Sequence, residues 1–439
     1  MKLLEEPLWR SQSYDSTRHT TCTSGSDWAG HANRLRFDTC FYRRTRFFGV
    51  DMLVLVQRLY RGTESFPLLA VPLFILAGQI MNHSGISARL VDLARSMVGA
   101  IRGGLAAVNI LTSMFFAGMS GTSMSDTAAV GGVMIPQMVK RGYSAPFTAA
   151  VTASSSTIGI IIPPSVPMVL LSAYMGLSTG ALFAAGLVSG LLIAIGLMLM
   201  AWWISVKRQY PIEAAFSIRQ LGSSLVSAFP ALLMPVIILG GILGGIFTPT
   251  EASAVAVAYG IFAGMVLYRS LSLRALYRAL VESAVLTGAV MFVTAAAHTL
   301  GYTFTYQSLG QLVLGPIAAL DMGPIGFLLI LSIVLIIAGT FLDGIAMMFI
   351  VVPLFLPSVQ LLGIDPLQFA MVVILCWGIG QQTPPVGAAL FITSVISRVD
   401  IIRITYANLP FIAVMLAVLL AVIVWPAGMV MSVPRWFGL

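Results

Sequence analysis

The sequence predicts an all-α, polytopic membrane protein, a prediction that rests on its composition and on the recurrence of long apolar runs. Apolar residues make up 58% of the 439 residues and charged residues only 9%. A soluble domain carries roughly 25% charged residues because its surface faces water, so most of this chain must face lipid. Only helices and closed barrels satisfy the backbone inside a bilayer. Runs near the roughly 20 residues of one helical span recur from Phe66 onward.

The charge pattern and the rare residues exclude several other classes. The net charge of +8 comes from basic residues scattered through short loops. That distribution is typical of the cytoplasmic side of a membrane protein, not of a nucleic-acid-binding surface. The three cysteines share no metal-ligand spacing, and the four histidines form no cluster. Neither a metal centre, a disulfide framework nor a nucleic-acid partner is indicated.

The first 50 residues are a different kind of sequence. They hold two of the three cysteines, two of the four histidines and a basic run at Arg43, Arg44 and Arg46. They contain no apolar run long enough to span and no signal-peptide pattern. We interpret residues 1–50 as an atypical polar, basic segment without a fixed structure, separate from the membrane part.

Residues 51–224 are the first of two repeats that we predict. Two short apolar runs, at about residues 104–138, meet at a polar tip and predict a re-entrant helical hairpin. A long helix at residues 147–175 follows, broken near its middle by small polar residues and a Pro-Pro pair. The other segments expected in this half are a span at Phe66–Met81, an interfacial amphipathic stretch at Ile86–Arg102 and a span at Leu182–Ile204.

Residues 225–439 repeat this plan. A second hairpin is expected at about residues 325–362 and a second broken helix at residues 368–397. Paired, interrupted apolar segments at matching places in two halves are a good pointer to a transporter binding site. The other spans expected in this half are Leu225–Phe247, Ala252–Tyr268, Ala284–Thr305 and Phe411–Met429.

Loop charge predicts that the two repeats are inverted. Lys140 and Arg141 close the first hairpin, and basic loops stay on the cytoplasmic side. The matching loop of the second hairpin, Gly363–Pro366, has no basic residue and is expected outside. The hairpins would then enter from opposite faces and bring their tips together.

The broken segments offer groups that bind both an anion and a cation. Half-helix N-termini present free N–H groups to a carboxylate, and unwound carbonyls with Ser or Thr hydroxyls can coordinate sodium. Asp126 and Asp343 are costly in a membrane and are functional candidates, although each could also cap the half-helix that follows it. The candidate substrate and ion residues are Ser120, Gly121, Thr122, Ser123, Asp126, Ser154, Ser155, Ser156, Thr157, Pro163, Pro164, Gly339, Thr340, Asp343, Gln382, Thr383, Pro384 and Pro385. The sodium candidates among them are Ser120, Ser123, Ser155, Thr157, Thr340 and Thr383.

An enzyme is the alternative from another class. Gly118-Met119-Ser120-Gly121 fits the G-x-S-G pattern of intramembrane serine proteases, and His298 could be nominated as the base. Against this, a four-residue match is weak in a chain with 41 glycines. A protease also needs no duplicated site, so the sequence favours a protein that is not an enzyme.

Five stretches closely resemble the large membrane subunit of the tripartite ATP-independent periplasmic (TRAP) transporters. They occur in family order from about Leu53 to the C-terminus. The matching stretches are Ser65–Gly78, Phe115–Ser123, Ser155–Ser165, Gly245–Ala252 and Thr383–Gly387.

The resemblance implies a function and a set of partners. Members lie in the bacterial inner membrane and work with a small membrane subunit and a periplasmic substrate-binding protein. Uptake of small carboxylates, such as C4-dicarboxylates and sugar acids, is driven by sodium, with no cofactor. The transport part moves as an elevator, with the hairpin tips closing over substrate and sodium. The polar segment before Leu53 departs from the family pattern of one or two apolar helices, so a degenerate copy that does not transport is a third interpretation.

Overall fold

The computed structural model describes residues 46–47, 50–212, 217–310 and 323–439. The chain divides into two units, Met1–Leu53 and Val54–Leu439. In the first unit, β1 (Arg46–Phe47) pairs with β2 (Val50–Asp51) in an antiparallel hairpin. The rest of the predicted N-terminal segment, and most of the loop between Gln307 and Gly323, lie outside the described residues.

The second unit is built from helices, as the composition predicts. Within the described ranges, eight helices are long and apolar enough to cross a membrane, or up to nine if a bent pair counts as one span. The helices before the first hairpin are α1 (Met52–Arg61), α2 (Ala70–His83, after a 3₁₀ turn at Phe66–Leu69) and α3 (Ile86–Val98). The protein is therefore a multi-pass membrane protein.

The first hairpin consists of α4 (Gly104–Ser120) and α5 (Ser123–Lys140). Gly121 ends α4 in the left-handed conformation, with φ of 62°, and Thr122 is extended. Because only glycine adopts positive φ at little cost, the Ser120-Gly121-Thr122 tip turns the chain back.

The first broken helix follows directly. It comprises α6 (Ala145–Ser156), α7 (Ile158–Ile161) and α8 (Val166–Met175), and it bends by 41° at residues 162–165. The first break is residues 157–165, the stretch between α6 and α8 that contains the short α7. The Pro163-Pro164 peptide bond in this break is cis. Ser165 restarts the helix by accepting a hydrogen bond from the Met168 amide at 3.4 Å. A Pro-Pro pair cannot continue a helix, so the break is encoded locally.

The second half contains the same kinds of element. Its hairpin is α13 (Pro324–Phe341) with α14 (Gly344–Leu361). Its broken helix is α15 (Pro366–Gly380) and α16 (Ala388–Ser397), separated by residues 381–387, the second break. Pro384-Pro385 in this break is also cis.

The remaining helices surround these four segments. They are α9 (Thr179–Lys207), α10 (Ile218–Leu243), α11 (Pro249–Phe262, continued by a π turn at Ala263–Leu267), α12 (Leu273–Tyr306), α17 (Ile401–Val424), α18 (Pro426–Met429) and α19 (Ser432–Trp436).

Two helices begin ten or more residues earlier than the apolar pattern predicts. The span expected from Ala284 begins at Leu273, and the one expected from Phe411 begins at Ile401. Arg274, Arg278 and Arg403 therefore lie inside helices rather than in loops. A helix continues into the membrane interface, where long basic side chains reach the headgroups, so loss of apolar character does not mark its end.

Close backbone packing joins the second hairpin to the second broken helix. A Cβ atom added to Gly380 would lie 2.8 Å from the backbone of Gly339. Because neither Gly339 nor Gly380 has a side chain, α13 and α15 can approach this closely, as small residues allow between membrane helices. Gly339, a predicted site residue, thus has a packing role.

The inverted topology stays a prediction, and two exposed residues at helix ends can test it. Lys140 ends α5, and Asp365 caps α15. In a background lacking Cys22, Cys40 and Cys376, Asp365→Cys should react with a membrane-impermeant thiol reagent in intact cells. Lys140→Cys should react only after the membrane is opened, because basic residues mark the cytoplasmic side. Labelling of both from the same side would contradict inversion.

Candidate functional site

A cavity of about 980 Å³ lies where the two hairpin tips come together. Ser120, Thr122 and Ser123 line it from the first tip, and Asp343 lines it from the second. Gln381, at the start of the second break, lines it as well. The cavity thus brings residues from both halves, more than 200 positions apart in the sequence, to one place.

The other wall of the cavity comes from α2 and α12. Gln79, Asn82 and His83 line it from α2, and Glu282 lines it from α12. The His83 ring and the Glu282 carboxylate lie 2.9 Å apart, and the Asn82 amide donates to the Ser125 hydroxyl at 3.2 Å. No lysine or arginine is among the residues that line the described cavity.

The first tip is held against the first break by backbone contacts. The Val166 amide donates to the Gly121 carbonyl at 3.1 Å. A Cβ atom added to Gly121 would lie 2.8 Å from the Pro164 carbonyl oxygen. Pro163 and Pro164 are both buried, and they form part of the surface against which the first tip packs.

Behind the tip lies a buried group of hydroxyls around one carboxylate. Ser123 and Ser156 share a hydrogen bond at 3.1 Å, and Ser113 and Ser155 share another at 3.0 Å. Asp126 is 0% exposed. Ser113 faces its carboxylate, yet neither carboxylate oxygen accepts a hydrogen bond of ordinary geometry.

A second buried network joins the two breaks through α17. Gln382 donates to the Thr157 hydroxyl at 2.8 Å and to the Gly378 carbonyl at 3.1 Å. Asn408 donates to the Gln382 side-chain oxygen at 3.0 Å, and the Ser154 hydroxyl donates to Asn408. The predicted residues Ser154, Thr157 and Gln382 are therefore brought together.

The second tip is more exposed than the first. Asp343 is exposed and caps α14 by accepting from the Ile345 amide at 3.0 Å. Thr340 donates to the Ile337 carbonyl of its own helix, and Thr383, in the second break, donates to the Ile379 carbonyl of the preceding helix, both at 2.8 Å. The capping alternative is thus correct for Asp343. Pro384 and Pro385 do not line the described cavity.

The sequence belongs to a recognisable family of membrane proteins. The model of the tripartite ATP-independent periplasmic transporter, DctM component, matches residues 35–428. This chain is a member of the TRAP transporter large permease family.

This TRAP permease aligns with curated relatives over most of its own length and most of theirs. The C4-dicarboxylate TRAP transporter large permease protein DctM of Pseudomonas aeruginosa is 38% identical, over 88% of this chain and 90% of its own. The sialic acid TRAP transporter large permease protein SiaM of Vibrio cholerae is 38% identical, over 84% and 87%. The 2,3-diketo-L-gulonate TRAP transporter large permease protein YiaN of Escherichia coli is 34% identical, over 88% and 91%.

Solved structures share the fold at much lower identity. The YdaH transporter of Alcanivorax borkumensis superposes with a TM-score of 0.64 at 17% identity, covering 86% of this chain and 89% of its own. MtrF of Neisseria gonorrhoeae gives 0.59 at 15%, covering 85% and 84%. The TRAP permease is a multi-pass protein of the bacterial inner membrane.

The protease alternative is not favoured. The relatives are transporter permeases. In the described contacts, Ser120 and His298, the two residues that a protease would need, have different neighbours. The His298 ring packs edge-on against Tyr174, with ring centroids 5.1 Å apart. The Ser120 hydroxyl faces the Thr122 carbonyl at 3.5 Å. No described hydrogen bond joins Ser120 to His298.

Several buried polar residues near the site are not among the residues predicted from the sequence. Asn408 is 0% exposed, and a polar amide in an apolar helix is costly unless it is paired. That cost was a usable signal. Asn109 donates to the Thr152 hydroxyl at 2.7 Å and could have been found in the same way. Gln381 lies next to a predicted residue and was passed over.

Proposed function

We propose that this TRAP permease imports a small carboxylate, driven by sodium, with a small membrane subunit and a periplasmic substrate-binding protein. The convergence of both hairpin tips on one cavity is the observation that carries this proposal. Relatives named for C4-dicarboxylate, sialic acid and 2,3-diketo-L-gulonate support a carboxylate as the substrate class. Because no lysine or arginine is among the residues that line the described cavity, and His83 is paired with Glu282, the carboxylate needs neutral donors.

The N-terminus of α5 is suited to supply those donors. The first N–H groups of any helix lack intrahelical partners and favour an anion. Thr122 caps α5 without a side-chain hydrogen bond, and Ser123 and Ser125 line the cavity beside it. At the N-terminus of α14, by contrast, the Asp343 carboxylate already accepts an amide hydrogen. The substrate carboxylate is therefore assigned to the first tip.

Sodium is assigned to the hydroxyl group behind that tip. Asp126 is fully buried, and among the described residues only the Ser113 hydroxyl faces its carboxylate, without a hydrogen bond of ordinary geometry. An uncompensated charge inside apolar surroundings costs several kcal/mol. A sodium ion would neutralise it, and Ser113, Ser155 and Ser156 offer the hard oxygen ligands that such a cation prefers. Motion of the transport part as an elevator belongs to the same proposal.

Reconstitution tests the proposal directly. Liposomes containing this protein, its small subunit and its binding protein should accumulate carboxylate only when a sodium gradient points inward. Uptake that needs ATP, or uptake that ignores the sodium gradient, would overturn the coupling.

Substitution of the break residues should abolish this uptake. Ser155→Leu fills the space beside Ser113, and Thr383→Leu removes a hydroxyl at the second break, so both should reduce uptake at least tenfold while the protein stays in the membrane. Thr303→Leu is the matched control, because the Thr303 hydroxyl also bonds only to its own helix, at 3.0 Å from the Thr299 carbonyl. Full uptake by both break variants would refute these assignments.

A further inference from the structure

We propose that Asn408 is a positioning residue that couples the two breaks, so that sodium and substrate residues in both halves keep one geometry. Asn408 lies on α17, which contributes no residue to the lining of the cavity. Any effect on transport must therefore act through the residues that Asn408 contacts. This inference rests on the proposed sodium-driven uptake.

The Asn408 side chain uses both ends of its amide. Its oxygen accepts from the Ser154 hydroxyl, next to the first break. Its nitrogen donates to the Gln382 side-chain oxygen at 3.0 Å and to the Gln382 backbone carbonyl at 3.3 Å, inside the second break. One side chain therefore holds one residue from each half.

Gln382 carries the connection back to the first half. Because its oxygen accepts from Asn408, its nitrogen is directed towards the Thr157 hydroxyl at 2.8 Å. Thr157 in turn donates to the Gly378 carbonyl at 3.4 Å. A Cβ atom added to Gly378 would lie 2.5 Å from the Thr157 methyl, so the two broken helices are in direct contact here.

Burial makes this network sensitive to the identity of Asn408. Asn408 and Gln382 are 0% exposed, and Ser154 and Thr157 are 1% exposed. Water cannot replace a lost partner at such positions, so each unpaired group bears its desolvation cost. Loss of the Asn408 amide should therefore loosen both breaks together, although they are far apart in sequence.

Hydrogen exchange tests the coupling without any need for transport. In Asn408→Leu, which is similar in size but cannot hydrogen-bond, amides of residues 157–165 and 381–388 should both exchange at least tenfold faster. Thr405→Val is the matched control on the same helix, since the Thr405 hydroxyl bonds only to Ile401, at 2.8 Å. Faster exchange in one break alone, or in neither, would overturn the proposal.

A second variant separates positioning from simple stability. Replacing both partners of a buried pair by apolar groups is nearly neutral for stability. Asn408→Leu with Gln382→Leu should therefore recover part of the melting temperature that Asn408→Leu loses, because the Ser154 hydroxyl then remains without its partner. The sodium concentration for half-maximal uptake should stay raised at least tenfold in both variants. Recovery of sodium affinity together with stability would show a merely structural role.

Failure of the proposed sodium-driven uptake can be distinguished from failure of the positioning role of Asn408. If wild-type uptake does not depend on sodium, the proposed function fails. In that case the exchange rates at the two breaks, together with the KM for the delivered carboxylate, decide the positioning role. A KM unchanged in Asn408→Leu would then count against it.

Discussion

Asp126→Asn is expected to weaken sodium binding strongly, both in sodium-driven uptake and in the stabilisation that sodium gives to the folded protein. The carboxylate is buried and accepts no hydrogen bond of ordinary geometry from the described residues, so an ion bound there adds binding free energy to the folded state. Asparagine keeps the shape but not the charge. The sodium needed for half-maximal uptake should rise at least tenfold, which corresponds to about 1.4 kcal/mol.

The sign of the stability change distinguishes this assignment from a general loss of packing. In sodium-free potassium buffer, Asp126→Asn should melt no lower than the wild type, because the variant buries no unpaired charge. In sodium buffer only the wild type should gain stability. Asp365→Asn is the control, since Asp365 is an exposed cap of α15 and asparagine caps equally well.

Other results would assign Asp126 differently. If sodium stabilises the variant as much as the wild type, the ion binds elsewhere. If wild-type uptake follows a proton gradient and Asp126→Asn abolishes it, Asp126 carries a coupling proton instead of binding sodium.

The breaks could be predicted from the sequence because they are encoded locally. A polar tip inside an apolar run, as at Ser120–Ser123, cannot continue as a lipid-facing helix. A Pro-Pro pair interrupts the backbone hydrogen bonds wherever it occurs. In the structure, the corresponding helix pairs run from Gly104 to Lys140 and from Pro324 to Leu361.

The side-chain pairings could not be predicted in this way. The hydrogen bond from Ser154 to Asn408 spans 254 positions, and no periodic pattern records which helices become neighbours. Helix α1 was also missed, because Met52–Arg61 is short and carries Arg58 and Arg61. Local chemistry determines where a chain breaks, whereas packing determines which broken ends meet.

Gly121→Ala is expected to reduce uptake at least tenfold, although it adds a single methyl group. Gly121 has φ of 62°, and an added Cβ would lie 2.8 Å from the Pro164 carbonyl oxygen. That oxygen belongs to the backbone of the first break, so it cannot turn aside as a flexible side chain would. The tip must move away from the first break, and the first turn of α5 moves with it.

A matched glycine isolates that contact from the cost of the backbone conformation. Gly176 also has positive φ, 68°, but an added Cβ would meet nothing within 4 Å. Both alanine variants bear the left-handed strain of about 1 kcal/mol, and only Gly121→Ala bears the collision. Uptake per molecule of folded protein, measured with the amount in the membrane, should therefore fall in Gly121→Ala and persist in Gly176→Ala. Equal uptake by the two variants would show that the contact between Gly121 and Pro164 does not matter for transport. The backbone strain that both variants share would then account for any loss of uptake.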